Sequence, residues 1–241
     1  MTQIDNTGER ILLDKETPLM IARHFCAYRF VKDYVKNLRV LDIGCGEGYG
    51  TYFLADFAKE AVGVDYDSKI IEYAKNKYKK VNLSFYEFNA ANLGNFVKDF
   101  DLFTCFQVIE HIPEEKEFLK NIAEAMPENG IFICSTPNKL DASPHSEKPL
   151  NKFHLKEYYF HEFKALLSGY FKTVDVFGLK RGWWLNFFRR LKKIGLFNFL
   201  PGQLNPVVKF YKKIDSSCFN IAQQDIDSAL DFIAVCKDKK E

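Results

Sequence analysis

A chain of 241 residues with 47% apolar side chains can bury one sizeable core, as one large domain or a domain with an elaboration. A net charge of +2 gives no overall bias toward a charged partner, although the charge is locally uneven. Six cysteines without a Cys-x-x-Cys pair exclude a zinc site of ordinary spacing, and a polar start without an apolar core, with no membrane-length apolar run, points to a reducing, cytoplasmic setting. In chain order, residues 18–36 predict a leading helix, 38–43 a strand, 49–59 a helix, and 61–65 a short buried strand ending in an acid. Helix spacing follows over 68–79, strands over 82–87 and 100–106, a helix over 114–126 and a strand over 130–135. A helix over 156–168 and two strands over 171–178 and 229–236 complete the pattern. Strands and helices alternate, which argues for a parallel sheet with helices on both faces.

The most informative stretch is Val40-Leu41-Asp42-Ile43-Gly44-Cys45-Gly46-Glu47-Gly48-Tyr49-Gly50. It is an apolar strand running into a glycine-rich turn that opens a helix. Glycine lacks a Cβ and tolerates positive φ, so the turn's backbone N–H groups can approach a ligand closely. A dinucleotide fold would need G-x-G-x-x-G, but the third position holds Tyr49 counted from Gly44, or Thr51 counted from Gly46. A nicotinamide oxidoreductase is therefore disfavoured. The remaining alternative to ligand binding is a plain structural strand–turn–helix.

The pattern Asp42-x-Gly44-x-Gly46-x-Gly48 resembles the cofactor loop of class I S-adenosylmethionine-dependent methyltransferases. The resemblance covers roughly residues 38–178. It implies an α/β, Rossmann-like, doubly wound sheet of seven strands, the last one antiparallel, with helices on both faces; the long stretch before that strand reads as a helical insertion. It implies S-adenosylmethionine as cofactor, with S-adenosylhomocysteine as product, held around Asp42, Gly44, Cys45, Gly46 and Tyr49. Asp42 would help meet the ammonium of the cofactor's amino-acid tail, directly or through water. Asp65, at the end of the second strand, would accept from both ribose hydroxyls, and Tyr66 would pack on the adenine. Asn89 and Ala90 would touch the adenine edge, and Gln107 would line the cofactor after the fourth strand. The start Thr7-Gly8-Glu9-Arg10 and the stretches Ser135-Thr136-Pro137-Asn138-Lys139 and Asn151-Lys152-Phe153-His154 are similar to a subgroup associated with bacterial surface polysaccharides.

Methyl transfer from a sulfonium is an in-line displacement, so the protein must align the reactants and exclude water. A hydroxyl acceptor also needs a base that titrates near working pH. The candidates are His154, His111 and Glu110, with His145 beside them. His111 and Glu110 could equally organise a loop. Ubiquinone-pathway O-methyltransferases show a related stretch with a metal-holding glutamate three residues before the Glu-His pair. That position is Gln107 here, a poor ligand for a hard cation, so no metal is expected. Arg10, His24 and Tyr28 are further acceptor contacts.

Residues 179–226 are too long for a hairpin turn. From Lys180 to Lys213 there are nine Lys or Arg and no Asp or Glu. At 100° per residue, Trp184, Phe187, Phe188, Leu191 and Ile194 share a helix face, with Arg189, Arg190, Lys192 and Lys193 around it. This basic amphipathic segment reads either as a cap packed on the domain, or as a peripheral contact of 183–213 with the inner membrane face or a lipid-linked acceptor. Nucleic acid is the third reading, disfavoured because Gln107-Val108-Ile109-Glu110 stands where an Asn/Asp-Pro-Pro-Tyr motif would be. A homodimer fits each. The expected organisation is one domain over 1–241, with a helical lid over 1–36 and the insertion over 179–226. The expected activity is methylation of O or N on a small or lipid-linked acceptor, such as a sugar. The rivals are a quinone-like or phenolic lipid acceptor and a non-catalytic cofactor-binding protein.

Overall fold

The computed structural model describes residues 10–89 and 99–240. The expected contact at Ala90 and the first nine residues of the expected lid lie outside these residues. The elements are α1 (Pro18–Val31), β1 (Arg39–Ile43), α2 (Tyr49–Leu54), β2 (Glu60–Asp65), α3 (Ser68–Lys77), β3 (Leu83–Glu87), β4 (Leu102–Phe106), α4 (Glu115–Ala125) and β5 (Ile131–Pro137). They continue as α5 (Lys139–Ala142), α6 (Phe160–Ser168), β6 (Phe171–Arg181), α7 (Trp183–Ile194), α8 (Pro206–Lys212), β7 (Phe219–Ala222) and β8 (Asp231–Lys239).

The strands form one sheet in the order β3-β2-β1-β4-β5-β8-β6-β7. From β3 to β5 every pairing is parallel. β8 enters antiparallel between β5 and β6, and β7 pairs antiparallel with β6 at the edge. The described sheet thus has eight strands, not the expected seven. The extra strand, β7, lies inside the stretch read as helical insertion. Its four residues pair Phe219 with Arg181 and Ala222 with Gly178, which also extends β6 beyond its expected end at 178. A four-residue edge strand carries too little period-2 pattern to stand out in a sequence.

Strand alternation assigns the two faces. In β4, Phe103 and Cys105 point to one core and Leu102 and Phe106 to the other. In β8, Phe232, Ala234 and Cys236 join the first core, and Ile233 and Val235 the second. The first face is covered by Phe118, Leu119 and Ile122 of α4 and Phe163 and Leu167 of α6. The second is covered by Ala22, Cys26 and Val31 of α1, with Leu54 of α2 and Leu185 of α7. Both faces are apolar because both are buried, as parallel sheets require. Cys105, Cys134 and Cys236 are buried free thiols in β4, β5 and β8. Local chemistry sets the helix starts. Thr17 caps α1 ahead of Pro18, Asp67 caps α3 through the Lys69 N–H, and Asn205 caps α8 ahead of Pro206.

Candidate functional site

A cavity of about 390 Å³ opens at the carboxyl ends of β1, β2, β4 and β5, where the order reverses between β1 and β4. Open α/β sheets bind ligands there, because the loops diverge on either side of the reversal. Its wall includes Gly44, Cys45, Gly46, Tyr49, Asp65, Tyr66, Gln107, Glu110, His111 and His154. Arg10, His24 and Tyr28 line it too, so α1 and the segment before it supply one side.

The glycine turn departs from one expectation. The Gly44 and Cys45 N–H groups both donate to the Val64 carbonyl, at 2.8 and 3.0 Å, and the Gly48 N–H donates to the Cys45 carbonyl. The Gly46 N–H donates to Asp65 Oδ2 at 3.0 Å. These four donors are spent inside the protein, so what these positions offer a ligand is space. Gly46 has φ +53°, and a Cβ built there would meet nothing within 4 Å. Gly44, at φ +71°, is instead closed off by Val108, whose Cγ2 would stand 2.4 Å from a Cβ. The cradle at Gly46 is the feature of this turn that fits a bulky ligand.

Asp42 sits behind the turn. It is fully buried and is not among the cavity-lining residues. Its Oδ2 accepts from Thr51 Oγ1 at 2.6 Å and from Tyr28 at 3.3 Å, and its Oδ1 accepts from Thr104 Oγ1 at 2.7 Å. Burial raises its pKa to about 6 despite these donors. The side chain ties α1, α2 and β4 to β1 behind the turn. Two threonines and a tyrosine far apart in sequence make that arrangement, and no local motif announces them.

Asp65 lines the cavity. Its oxygens accept from the Gly46 and Asp67 N–H groups at 3.0 and 3.1 Å. A carboxylate has about four acceptor positions, so two remain for a vicinal diol. Tyr66 beside it is 58% exposed and has the Arg10 guanidinium over its ring at 5.7 Å, while Arg10 pairs with Asp67. Tyr49 begins α2 and packs edge-on to Tyr28, with centroids 5.7 Å apart. Gln107 sits at φ +56°, a costly conformation for this residue type, held by its N–H on the Ser135 carbonyl at 3.0 Å. Its side-chain amide donates to Ser135 Oγ at 3.2 Å. Asn89 is exposed two residues past β3 and is not among the cavity-lining residues.

At the β4–β5 end the three candidate bases converge. The Leu155 N–H donates to the Glu110 carbonyl at 2.8 Å, which latches the 143–159 loop onto the turn after β4. His111 Nδ1 donates to the Phe153 carbonyl at 2.8 Å, and the His111 and His154 rings meet edge-on at 5.0 Å. His154 Nδ1 faces Glu157 Oε1 at 2.7 Å, and its Nε2 faces the Asn151 amide nitrogen at 2.9 Å. An amide N–H on Nε2 requires the Nδ1–H tautomer, whose proton goes to Glu157. Glu157 was not anticipated, although His154-x-x-Glu157 is a readable spacing.

Glu110 is buried, and Thr136 Oγ1 donates to its Oε2 at 3.1 Å. Burial, with Asp231 and Glu157 nearby, raises its pKa to about 8, so it holds a proton at neutral pH. Among the described residues, Glu110 Oε1 and Glu157 Oε2 are buried with no hydrogen-bond partner. Ligand atoms of Glu110, His111 and His154 lie within 4.8 Å of one another. His145 is exposed and is not among the cavity-lining residues. Arg23, also missed in the sequence, makes a two-pronged pair with Asp231 at 2.6 and 2.7 Å beside His24. Burial lowers the His24 pKa to about 4 and keeps it neutral.

Residues 35–181 match the family model described as a methyltransferase domain. A probable S-adenosylmethionine-dependent methyltransferase of Mycolicibacterium smegmatis is 33% identical over 178 residues, covering 73% of this chain and 68% of that protein. A ubiquinone biosynthesis O-methyltransferase of Coxiella burnetii is 32% identical over 108 residues, covering 44% of this chain and 46% of that protein. The matches thus span about two thirds or less of these relatives. A methyltransferase structure from Thermotoga maritima superposes with TM-score 0.63 at 14% identity, covering 92% of each chain, a likeness of fold. The chain belongs to the S-adenosylmethionine-dependent methyltransferase family, and S-adenosylmethionine is its cofactor.

Proposed function

We propose that this protein methylates a hydroxyl oxygen of a small or lipid-linked acceptor, a sugar or a similar polyol, with His154 as the base. The observation that carries this reading is the His154–Glu157 pair on the wall of the same cavity as Gly46 and Asp65. When bound, S-adenosylmethionine supplies a methyl group on a sulfonium sulfur, which is already a good leaving group. Gly46 leaves room for it, Asp65 takes its ribose hydroxyls, and Tyr66, Tyr49 and Gln107 wall it in. His154 Nε2 accepts the hydroxyl proton in place of its bond from Asn151. Glu157 then faces an imidazolium and stabilises it through Nδ1–H. Protonated Glu110 orients the acceptor without adding a second negative charge.

The acceptor class follows from the wall. Besides Glu47 and Asp65 near the glycine turn, Glu16, Glu110, Glu157 and Asp231 put four more acidic side chains on it, two with an oxygen that no described group satisfies. A hydroxyl meets both needs, donating to Glu157 Oε2 and accepting the proton of neutral Glu110 at Oε1, and unpaired buried polar groups are costly to leave. The resemblance to a polysaccharide-associated subgroup agrees with this. The leading segment and the 179–226 stretch serve as lids over the acceptor. Calorimetry with S-adenosylhomocysteine, then methyl-label transfer to sugars, nucleotide sugars and phenols, tests the proposal. Transfer confined to phenols would favour the quinone-like lipid, and binding without transfer the non-catalytic rival.

A second reading rests on the convergence of Glu110, His111 and His154, a donor set able to hold a divalent cation. Stimulation by added Mg²⁺ or Mn²⁺, lost in His111→Ala, would favour it over the metal-free mechanism.

A further inference from the structure

The insertion helix α7 carries two apolar arcs, not the single face its sequence suggests. Leu185 is buried and Phe188 stacks on Phe210 of α8, with centroids 4.1 Å apart. These two residues hold the helix to the domain. About a third of a turn away, Trp183 is 66% exposed, Trp184 59% and Ile194 69%, with Phe187 between them. Trp183 stacks flat on Phe187 at 5.6 Å, so the stripe is a preformed ledge. The helical wheel sets Arg190 on one border of this ledge and Arg189 and Lys193 beyond it, all exposed. The packed cap expected as one reading therefore leaves Trp183, Trp184 and Ile194 of this helix uncovered.

We propose that this ledge docks on an anionic bilayer surface. A helix of this kind lies in the interface plane, its aromatics at the headgroup level and its cations against lipid phosphates. No described helix is long and apolar enough to cross a membrane, so the contact is peripheral. Charge decides between the candidate occupants. From Lys180 to Lys213 the chain has nine cations and no acidic residue, whereas its net charge is only +2. A second copy of the chain docked by symmetry on this patch would bring like charges together. An anionic lipid surface brings the opposite sign, and each basic residue near it contributes roughly fivefold in affinity. Nucleic acid would supply the charge as well. Bases, however, need splayed aromatic faces, and Trp183 and Phe187 cover one another. The ledge starts only two residues after Arg181 ends β6, and β6 contributes Leu179 to the cavity wall. Docking thus sets the cavity beside the lipid surface, whichever acceptor the site takes.

Trp183 and Trp184 are the only tryptophans of the chain, so its tryptophan fluorescence, excited selectively over tyrosine, reports on this ledge. The full-length protein is titrated with vesicles of phosphatidylcholine alone and of phosphatidylcholine with phosphatidylglycerol. The mixed vesicles are expected to shift the emission to the blue and to carry the protein in flotation. Arg189→Gln and Arg190→Gln should each weaken that binding about fivefold. Trp183→Ser with Phe187→Ser should abolish flotation while S-adenosylhomocysteine still binds, which separates this proposal from the reading of the active site. Emission unchanged by anionic vesicles would overturn it. So would a blue shift produced by raising protein concentration without lipid, or one produced more strongly by single-stranded DNA than by vesicles.

Discussion

The two ends of the cavity are built by opposite means. At the β1–β2 end the backbone makes the site. The N–H groups of Gly44, Cys45, Gly46 and Gly48 are bonded inside the protein, Gly46 faces open space, and Asp65 is fixed by two backbone N–H groups. At the β4–β5 end side chains make it. His154, Glu157, Glu110 and Asn151 converge from a loop and a short turn, and two carboxylate oxygens stay unsatisfied. A backbone-built pocket holds one shape for one ligand. A side-chain pocket can change its acceptor by changing a few residues, which is how one fold serves many chemistries.

The largest effect expected is on the acceptor end alone. His154→Ala should lower the methyl-transfer rate about 10²–10⁴-fold, the usual worth of a general base. S-adenosylhomocysteine affinity, read by calorimetry, should not change. Equal losses in rate and affinity would mean that the two ends are one unit. The complementary change is Asp65→Ala. It should weaken S-adenosylhomocysteine about a hundredfold, since two hydrogen bonds to a charged acceptor are lost. Unaltered affinity in that variant would remove the cofactor role from Asp65.

The same contrast explains which features are legible in the amino-acid sequence. The glycine turn and Asp65 were legible because a backbone-built site needs contiguous residues of special type: glycines at positive φ, an acid at a strand end. The order of elements was legible for the same reason, through runs of apolar residues. Glu157 escaped notice because its partner matters only once the 143–159 loop is latched to Glu110. The burial of Asp42 behind the turn was hidden because Thr51, Thr104 and Tyr28 meet it only in the folded sheet. β7 was missed because four edge residues hold little pattern, and its pairing with β6 spans about forty residues of chain.

A smaller effect separates two glycines of one motif. Gly46→Ala keeps an αL backbone at a cost of about 1–2 kcal/mol and puts a methyl into the cradle. Gly50→Ala drives a Cβ to within 2.0 Å of the Tyr28 ring. The first should weaken S-adenosylhomocysteine about tenfold with a modest loss of melting temperature. The second should lower the melting temperature more, because Tyr28 must leave its seat on α2. If Gly46→Ala melts lower than Gly50→Ala and binds normally, the turn is structural and the cradle is empty space.

The smallest effect is a pH dependence that belongs to the acceptor end. The folded protein keeps Glu110 protonated up to about pH 8, whereas the unfolded chain releases that proton near 4.5. The stability this contributes is complete below about 4.5 and is lost as pH rises toward 8. Asp42, raised to about 6, acts in the same direction at lower pH. His24, lowered to about 4, acts oppositely, and its contribution is present above 6.5 and lost on acidification. Of the three, only Glu110 titrates between pH 6.5 and 8. Unfolding free energy measured in urea should fall there by about 1 kcal/mol per pH unit. Glu110→Gln keeps the shape without the proton and should flatten the slope. A slope that survives the substitution would show that the acceptor end holds no neutral acid, and the orienting role given to Glu110 would pass to Glu157.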